Sequence, residues 1–215
     1  MENKTEYIGK VKLDYQYYGG RDLYVDGSEE ELLDIVKMHT KSEYNRVIEA
    51  RKSWPILYHL SDIRGNIVDW MPISKDDTVL EIGAGCGAIT GTLAKKAGRV
   101  DCIELSRARS LVNAERNKEY DNINIVVGNF QDVEKNLTEQ YDYITLIGVL
   151  EYAASYIESE NPYEEFLNII KKHLKPTGKI VTAIENKYGL KYWAGCKEDH
   201  LGTYYSGLEG YVGVD

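Results

Sequence analysis

The sequence predicts a doubly wound α/β fold built on one mostly parallel sheet. Short apolar segments alternate with helical segments through the second half of the chain, which is the pattern of a parallel sheet covered by helices on both faces. A glycine-rich turn follows the first of these apolar segments, at the sheet edge where such folds bind ligands. Strands are predicted at 78–82, 99–105, 123–127, 142–148 and 179–184.

The glycine-rich turn indicates a cofactor pocket. Residues 78–90 read TVLEIGAGCGAIT, so that an apolar run carrying Glu81 is followed by glycines at every second position, Gly83, Gly85 and Gly87. Residues without Cβ let the backbone turn sharply and let a ligand lie against the main chain. The free N–H groups of the following helix then face that ligand.

Two acids near this turn bear on the choice of cofactor, and only the first of them separates the candidates. Gly83, Gly85 and Ala88 alone satisfy the weak dinucleotide pattern G-x-G-x-x-G/A. An ionised Glu81 would repel a pyrophosphate near the glycines but attract an ammonium or a sulfonium. Glu104 ends the next strand, where a carboxylate accepts both ribose hydroxyls of either cofactor class. The stretch resembles motif I of the class I S-adenosylmethionine-dependent methyltransferases, whose pattern is an acid, a residue and then G-x-G-x-G.

The resemblance implies a Rossmann-like sheet and S-adenosyl-L-methionine as the cofactor, with S-adenosyl-L-homocysteine as the product. Asn129 stands where the family has an acid that accepts the adenine amino group, and its side-chain oxygen retains that capacity. Arg64 is a candidate for the methionine carboxylate, with a solvated surface arginine as the alternative. The implied cofactor residues are Arg64, Glu81, Gly83, Ala84, Gly85, Gly87, Glu104, Leu105, Asn129, Phe130, Gly148 and Val149.

The resemblance also implies an acceptor side. In the family the segment after the fourth strand lines the methyl-transfer site, which nominates Glu151 and Tyr152; an ordinary helix-start acid is the alternative for Glu151. The run LKPTGK before the fifth strand is similar to the corresponding family motif. Residues 187–215 are predicted to be a substrate-side loop. Its start resembles bacterial methyltransferases associated with surface-polysaccharide biosynthesis, and adds Asn186 and Asp199 as substrate residues.

The predicted function is methyl transfer to a small-molecule or sugar-containing acceptor at oxygen. A neutral alcohol is a poor nucleophile, so a base near it helps the reaction. His200, beside Asp199, is the first candidate base and Glu185 the second. Two alternatives remain open: a binding module that keeps the fold without turnover, and a nicotinamide-dependent oxidoreductase, although no Tyr-x-x-x-Lys motif is present.

The N-terminal part is predicted to be a separate arm and helical cap over residues 1–53, followed by the cofactor-binding domain at 54–215. A hairpin or loose arm is expected first, then a helix that starts at a Ser28/Glu31 capping box, and a second helix over 42–53. One continuous helix is predicted over 56–70. The class I fold normally ends with two more strands, and none is found before residue 215. We expect the chain to be a piece of a longer protein, with a tail that departs from the family pattern as the alternative.

Charge, cysteine spacing and the length of apolar runs predict which partners are absent. The net charge of −9 and the pI near 5.1 predict no nucleic acid as a partner, because phosphate binding depends on clustered Lys and Arg. The cysteines lack metal spacing, so no metal is predicted and reduced thiols in the cytoplasm are expected. No apolar run is long enough to span a bilayer. The oligomeric state does not follow from the sequence.

Overall fold

The computed structural model describes residues 4–22, 24–157, 159–199 and 201–211, and its central element is a seven-stranded sheet. The strands are β1 Thr5–Ile8, β2 Val11–Tyr17, β3 Thr78–Ile82, β4 Arg99–Glu104, β5 Ile123–Gly128, β6 Tyr141–Ile147 and β7 Leu174–Ala183. Their order across the sheet is β1-β2-β5-β4-β3-β6-β7. The central strands β5, β4, β3 and β6 pair in parallel, which confirms the predicted doubly wound sheet.

Helices cover both faces of this sheet because successive strand residues point to opposite sides. Val79 belongs to one core cluster with Leu93 of the helix after β3, whereas Leu80 belongs to a second cluster with Phe166 and Ile170. The helices are α1 Glu29–Met38, α2 Tyr44–Arg51, α3 Trp54–Leu60, α4 Asn66–Asp69, α5 Thr90–Lys96, α6 Arg107–Arg116, α7 Phe130–Glu134, α8 Ala153–Tyr156, α9 Pro162–Lys171 and α10 Leu190–Trp193. Short 3₁₀ helices span Lys41–Glu43, Asp62–Gly65 and Leu150–Tyr152.

The N-terminal hairpin is an integral part of the sheet. β1 pairs antiparallel with β2, and β2 pairs parallel with β5, where Leu13 lies opposite Ile125. Both side chains are fully buried in the first core cluster. A loose arm is therefore the wrong alternative for these residues, and the hairpin extends the sheet beyond β5.

The capping box predicted at Ser28 and Glu31 is absent. Ser28 precedes α1 but makes no side-chain cap; its hydroxyl donates to Asp26 instead. The carboxylate of Glu29 accepts the N–H groups of Asp26 and Gly27 and thereby closes the turn before the helix. The Thr40 hydroxyl and backbone N–H both donate to the carboxylate of Glu43, at the start of the next 3₁₀ helix.

The continuous helix predicted over 56–70 is interrupted at Ser61. This residue leaves the helical region (φ −57°, ψ 126°), so that α3, a 3₁₀ turn and α4 replace one helix. The guanidinium of Arg116 donates to the carbonyls of His59 and Leu60 and satisfies groups that the helix end leaves open. A tertiary contact from α6 therefore ends α3, which no local pattern contains.

The last strand of the sheet starts earlier than predicted. Residues 174–178 were predicted as a turn, but β7 begins at Leu174. Tyr141 donates its backbone N–H to the carbonyl of His173, and a Cβ on Gly178 would lie 2.8 Å from the Tyr141 carbonyl oxygen. Glycine therefore permits a close approach to β6 at this point.

The chain forms two compact units, Met1–Thr182 and Ala183–Asp215. Within the second unit, α10 is followed by an isolated antiparallel bridge between Lys197 and Tyr204. Cys86, Cys102 and Cys196 are free thiols, as expected. In the described part of the chain, every helix is too short or too polar to traverse a bilayer.

We predict that the hairpin contributes to global stability. Leu13→Ala removes a fully buried side chain between β1 and the core and should lower the free energy of unfolding by about 2–5 kcal/mol. Tyr7→Ala, on the exposed face of β1, should change it by less than about 0.5 kcal/mol. Urea denaturation measures both, and equal small effects would contradict an integral hairpin.

Candidate cofactor and acceptor site

The carboxyl ends of four parallel strands bring several predicted residues to one sheet edge. Gly83 follows β3, Glu104 ends β4, Asn129 follows β5 and Gly148 follows β6. Neighbouring strands lie about 4.8 Å apart, so these positions form a compact row. The backbone N–H of Gly83 donates to Ile103 at 2.8 Å and fixes the glycine turn to the end of β4.

The three glycines of the turn have different surroundings, although all adopt positive φ (70°, 53° and 74°). A Cβ on Gly83 would lie 2.5 Å from Cγ2 of Val149, and one on Gly87 would lie 2.3 Å from Oδ1 of Asn113. A Cβ on Gly85 would meet nothing within 4 Å. Gly83 and Gly87 therefore make room for the protein itself, whereas Gly85 borders open space in which a ligand can lie.

Glu104 holds this turn in place. Its carboxylate is buried and accepts the N–H of Gly85 at 2.7 Å and the N–H of Ser106 at 2.9 Å. Burial raises the pKa of Glu104 above its usual value, and these backbone hydrogen bonds oppose that shift. A carboxylate accepts about four hydrogen bonds, so capacity remains for the hydroxyls of a ribose.

Glu81 is a second buried carboxylate, one strand away. It accepts a hydrogen bond from the Thr90 hydroxyl at 2.6 Å and a weak one from the Cys102 thiol at 3.5 Å. Burial is the main cause that raises the pKa of Glu81 to about 7. The charge of Glu104 acts in the same direction, whereas the two hydrogen bonds and the charge of Arg64 act against it. Glu81 thus gains its negative charge as the pH rises through neutrality, and attracts a cation above that point.

The other predicted cofactor residues have partners of their own. The Arg64 guanidinium lies 4.1 Å from the centroid of the Tyr58 ring and donates to the Tyr58 carbonyl at 3.4 Å. Asn129 uses its side-chain oxygen to cap α7, accepting the N–H of Gln131 at 3.1 Å. That oxygen has a second lone pair, which an adenine amino group can share. Phe130 packs edge-on against Phe166.

Aromatic side chains surround the end of β6. Gly148 has φ 68°, and a Cβ there would lie 3.6 Å from Oε1 of Glu151 and 4.0 Å from the hydroxyl of Tyr58. The ring of Tyr152 meets that of Tyr24 edge-on, with centroids 6.2 Å apart. The predicted substrate residues Glu151 and Tyr152 therefore lie beside the glycine that follows β6, in a 3₁₀ helix that leads directly into α8. Glu151 is in the first turn of this helix, a position that also fits the helix-start alternative.

The sequence analysis missed an ionic cluster that joins the N-terminal segment to α6. Arg109 donates to Asp26 at 2.9 Å and to Glu29 at 3.0 Å, and its guanidinium lies 4.4 Å from the centroid of the Tyr24 ring. His59 hydrogen-bonds to Asp26 at 3.1 Å. Burial would raise the pKa of Asp26, but hydrogen bonds, including that of His59, and the Arg109 charge hold it at about 2.

A signal for this cluster exists in the sequence. Arg107 and Arg109 lie in the first turn of α6, where the helix dipole disfavours cations. Such residues need acidic partners from elsewhere in the chain. Asp22 supplies a further one, since its carboxylate accepts the backbone N–H groups of Arg107 at 2.6 Å and Ala108 at 3.1 Å.

Of the two predicted catalytic residues, one lies in the second compact unit and the other lies outside the described residues. Glu185 is exposed, and Asn186 accepts the N–H of Tyr188 at 3.0 Å. Asp199 accepts from the Tyr192 hydroxyl at 2.8 Å and from Lys191. His200 lies outside the described residues. Its base role and the substrate roles of Asn186 and Asp199 stay predictions. No set of three or more His, Cys, Asp or Glu residues in the described ranges is arranged to hold a metal ion.

Comparison with known proteins defines the central part of the chain. Residues 80–180 match a family model described as a methyltransferase domain. This part of the chain is similar to S-adenosylmethionine-dependent methyltransferases. The fold is also similar to that of a solved structure, phosphoethanolamine N-methyltransferase 1 from Haemonchus contortus in complex with phosphoethanolamine and S-adenosylhomocysteine. The TM-score is 0.51 at 22% identity, over 78% of this chain and 36% of the other, which shows the common fold.

Ribosomal RNA small subunit methyltransferases A are among the curated relatives. That of Syntrophus aciditrophicus is 31% identical over 118 residues, which are 55% of this chain and 39% of the relative. That of Listeria welshimeri is 37% identical over 83 residues, 38% of this chain and 28% of the relative. The methyltransferase domain is thus matched, but the chain spans well under half of either protein.

These relatives correct the exclusion of nucleic acid as a partner, because their names specify an RNA substrate. The inference from net charge was wrong in its reasoning. A total of −9 for the whole chain averages over the surface, whereas phosphate contacts depend only on local groups. An acidic chain therefore does not rule out a nucleic acid.

We predict different effects for two glycines of the turn. Gly87→Ala combines positive φ with a collision against Asn113 and should lower the free energy of unfolding by about 3 kcal/mol or more. Gly85→Ala has only the backbone strain, about 1–2 kcal/mol. Chemical denaturation of both variants measures the difference, and a Gly85 variant as unstable as the Gly87 variant would show that no open space borders Gly85.

Proposed function

We propose that this protein transfers a methyl group from S-adenosylmethionine to an acceptor that binds beside the end of β6. The observation that carries this proposal is the pair of buried carboxylates, Glu81 and Glu104, on either side of a glycine turn that is open at Gly85. A ribose suits Glu104, and a positively charged amino acid moiety suits Glu81. An ionised Glu81 does not suit a pyrophosphate.

In this proposal the residues of the chain bind the cofactor and orient the acceptor. Glu104 accepts ribose hydroxyls, Glu81 attracts the ammonium, and Arg64 meets the carboxylate of the methionine moiety. Bound S-adenosylmethionine supplies a methyl group on a sulfonium, which is a good leaving group. What the protein must add is alignment of the acceptor with that methyl group and exclusion of water. Val149 and the aromatic rings near Gly148 surround the place where alignment is needed.

Two acceptor classes enter the proposal. Ribosomal RNA is supported by the substrate that the relatives' names specify, and exposed tyrosines such as Tyr58 are suitable for stacking on a base. A sugar-containing or other small acceptor, methylated at oxygen, is the class predicted from the sequence, by resemblance to methyltransferases of surface-polysaccharide biosynthesis. A hydroxyl acceptor needs a base, and His200 or Glu185 would supply it.

We predict that calorimetric titration detects binding of S-adenosylmethionine and S-adenosylhomocysteine but not of NAD. Glu104→Ala should weaken binding of both by at least about tenfold, because the ribose hydroxyls lose a charged acceptor. Glu139→Ala, which removes an exposed carboxylate paired with Arg99, should leave the affinity unchanged. Binding of NAD alone would overturn the proposal in favour of an oxidoreductase.

We predict that the acceptor becomes visible with methyl-labelled S-adenosylmethionine. Incubation with unmodified small-subunit ribosomal RNA, and separately with sugar nucleotides and polysaccharide extracts, distinguishes the classes by the fraction that gains label. Tyr152→Ala should reduce transfer by about tenfold or more while cofactor affinity stays within about twofold, since alignment and not cofactor binding is lost. Cofactor binding with no label in any fraction would support a binding module without turnover.

A further inference from the structure

A chain of hydrogen bonds connects Glu81 with a lysine near the protein surface. The Thr90 hydroxyl donates to Glu81 at 2.6 Å, and the side-chain amide of Asn113 donates to the Thr90 oxygen at 3.0 Å. The amide of Asn117 donates to the Asn113 oxygen at 2.9 Å, and the ammonium of Lys41 donates to the Asn117 oxygen at 3.0 Å. Four side chains from three different parts of the fold thus lead to the motif I acid.

Lys41 fixes the direction of every bond in this chain. An ammonium has only donors, so Asn117 must turn its oxygen toward Lys41 and its NH₂ group toward Asn113. Asn113 must then present its oxygen to Asn117 and its NH₂ group to Thr90. The Thr90 oxygen is thereby occupied as an acceptor, and its hydrogen points to Glu81. All four bonds run toward the carboxylate.

These hydrogen-bonded side chains are closely packed and shielded from water. Thr90 and Asn113 are 0% exposed and Asn117 is 1% exposed. A Cβ on Gly87 would lie 2.3 Å from the Asn113 oxygen, and one on Gly91 would lie 2.6 Å from the Asn117 oxygen. Buried amides in such a space must satisfy one another, and hydrogen bonds in series strengthen each other.

We propose that Lys41 is a positioning residue for the cofactor: it orients both amides so that the Thr90 hydroxyl donates to Glu81 and stabilises this carboxylate in its charged form. The inference rests on the proposed function, in which Glu81 attracts the cofactor's ammonium. Without the ammonium of Lys41, both amides are free to rotate by 180°. The Thr90 hydroxyl then has an acceptor in Asn113 and no longer needs to donate to Glu81.

Other groups also influence the charges of Glu81 and Lys41, the two ends of this series of hydrogen bonds. Glu81 also faces the Cys102 thiol and the charges of Glu104 and Arg64, and its pKa is about 7 because of burial. Loss of a hydrogen bond to the carboxylate raises that pKa, so that Glu81 is protonated over a wider pH range.

At the outer end, burial lowers the pKa of Lys41, while the Glu119 carboxylate at 2.6 Å opposes that shift. The positive charges of Arg116 and Lys95 also lower it. The Lys41 ammonium further lies 4.8 Å from the centroid of the Tyr120 ring.

The test is the pH dependence of S-adenosylhomocysteine affinity, measured by calorimetry from pH 5.5 to 8.5 on the full chain. Lys41→Met should shift the midpoint of this dependence upward by about one unit. Affinity would then fall about fivefold at pH 7 but stay within about 1.5-fold at pH 8.5, where Glu81 is mostly ionised in both proteins. Lys41→Arg, which keeps the cation and its donors, should restore most of the affinity at pH 7.

Three further variants separate positioning from a structural role. Glu119→Gln removes the ion-pair partner but keeps the Lys41 bond to Asn117, and should leave the midpoint unchanged. Asn117→Leu breaks the next link and should reproduce the Lys41→Met shift, even if that variant folds poorly. In a Glu81→Gln background the pH midpoint should disappear, and Lys41→Met should have no further effect on affinity.

The possible results are distinct. An equal loss of affinity at pH 7 and pH 8.5, or an equal effect of Glu119→Gln, would overturn the inference and leave Lys41 as a structural anchor. An unchanged midpoint in both Lys41→Met and Asn117→Leu would overturn it as well. If the wild-type protein binds neither S-adenosylmethionine nor S-adenosylhomocysteine, the proposed function itself fails.

Discussion

The burial of two carboxylates on neighbouring strands is the constraint on which the candidate cofactor site depends. We call the sheet edge that holds this site the cofactor edge. Glu81 and Glu104 would repel each other and lose hydration in the interior, so the surroundings must supply donors. Glu104 receives two backbone N–H groups, of Gly85 and Ser106, and Glu81 receives the hydroxyl of Thr90. The glycine turn and the starts of α5 and α6 are thereby fixed in relation to the sheet.

Helix α6 connects this edge to the N-terminal region. Its first turn holds Asp22 through two backbone N–H groups, and its Arg109 holds Asp26 and Glu29. At its other end Arg116 donates to the carbonyls that terminate α3. Asp22, Asp26, Glu29 and the end of α3 are therefore all attached to α6, the helix that follows β4.

The sequence predicted the sheet, and the meeting of Glu81, Glu104 and the glycine turn near one sheet edge, because both depend on local patterns. Apolar runs end in acids or glycines at positions 81–87 and 104, and parallel strands bring such ends together without further information. The break of α3 at Ser61 depends instead on Arg116, more than fifty residues away. The chain from Lys41 to Glu81 likewise joins residues with no shared motif. Such contacts are tertiary, and no local pattern in a single sequence predicts them.

The carboxylate of Asp22 at the start of α6 has a consequence for ligand choice. The N–H groups of a helix start are a natural place for a phosphate. Here a side chain of the same protein already accepts two of them, next to Ser106 and the buried Glu104. The start of α6 is thus closed to a phosphate, because a carboxylate of the same protein already accepts its amide groups.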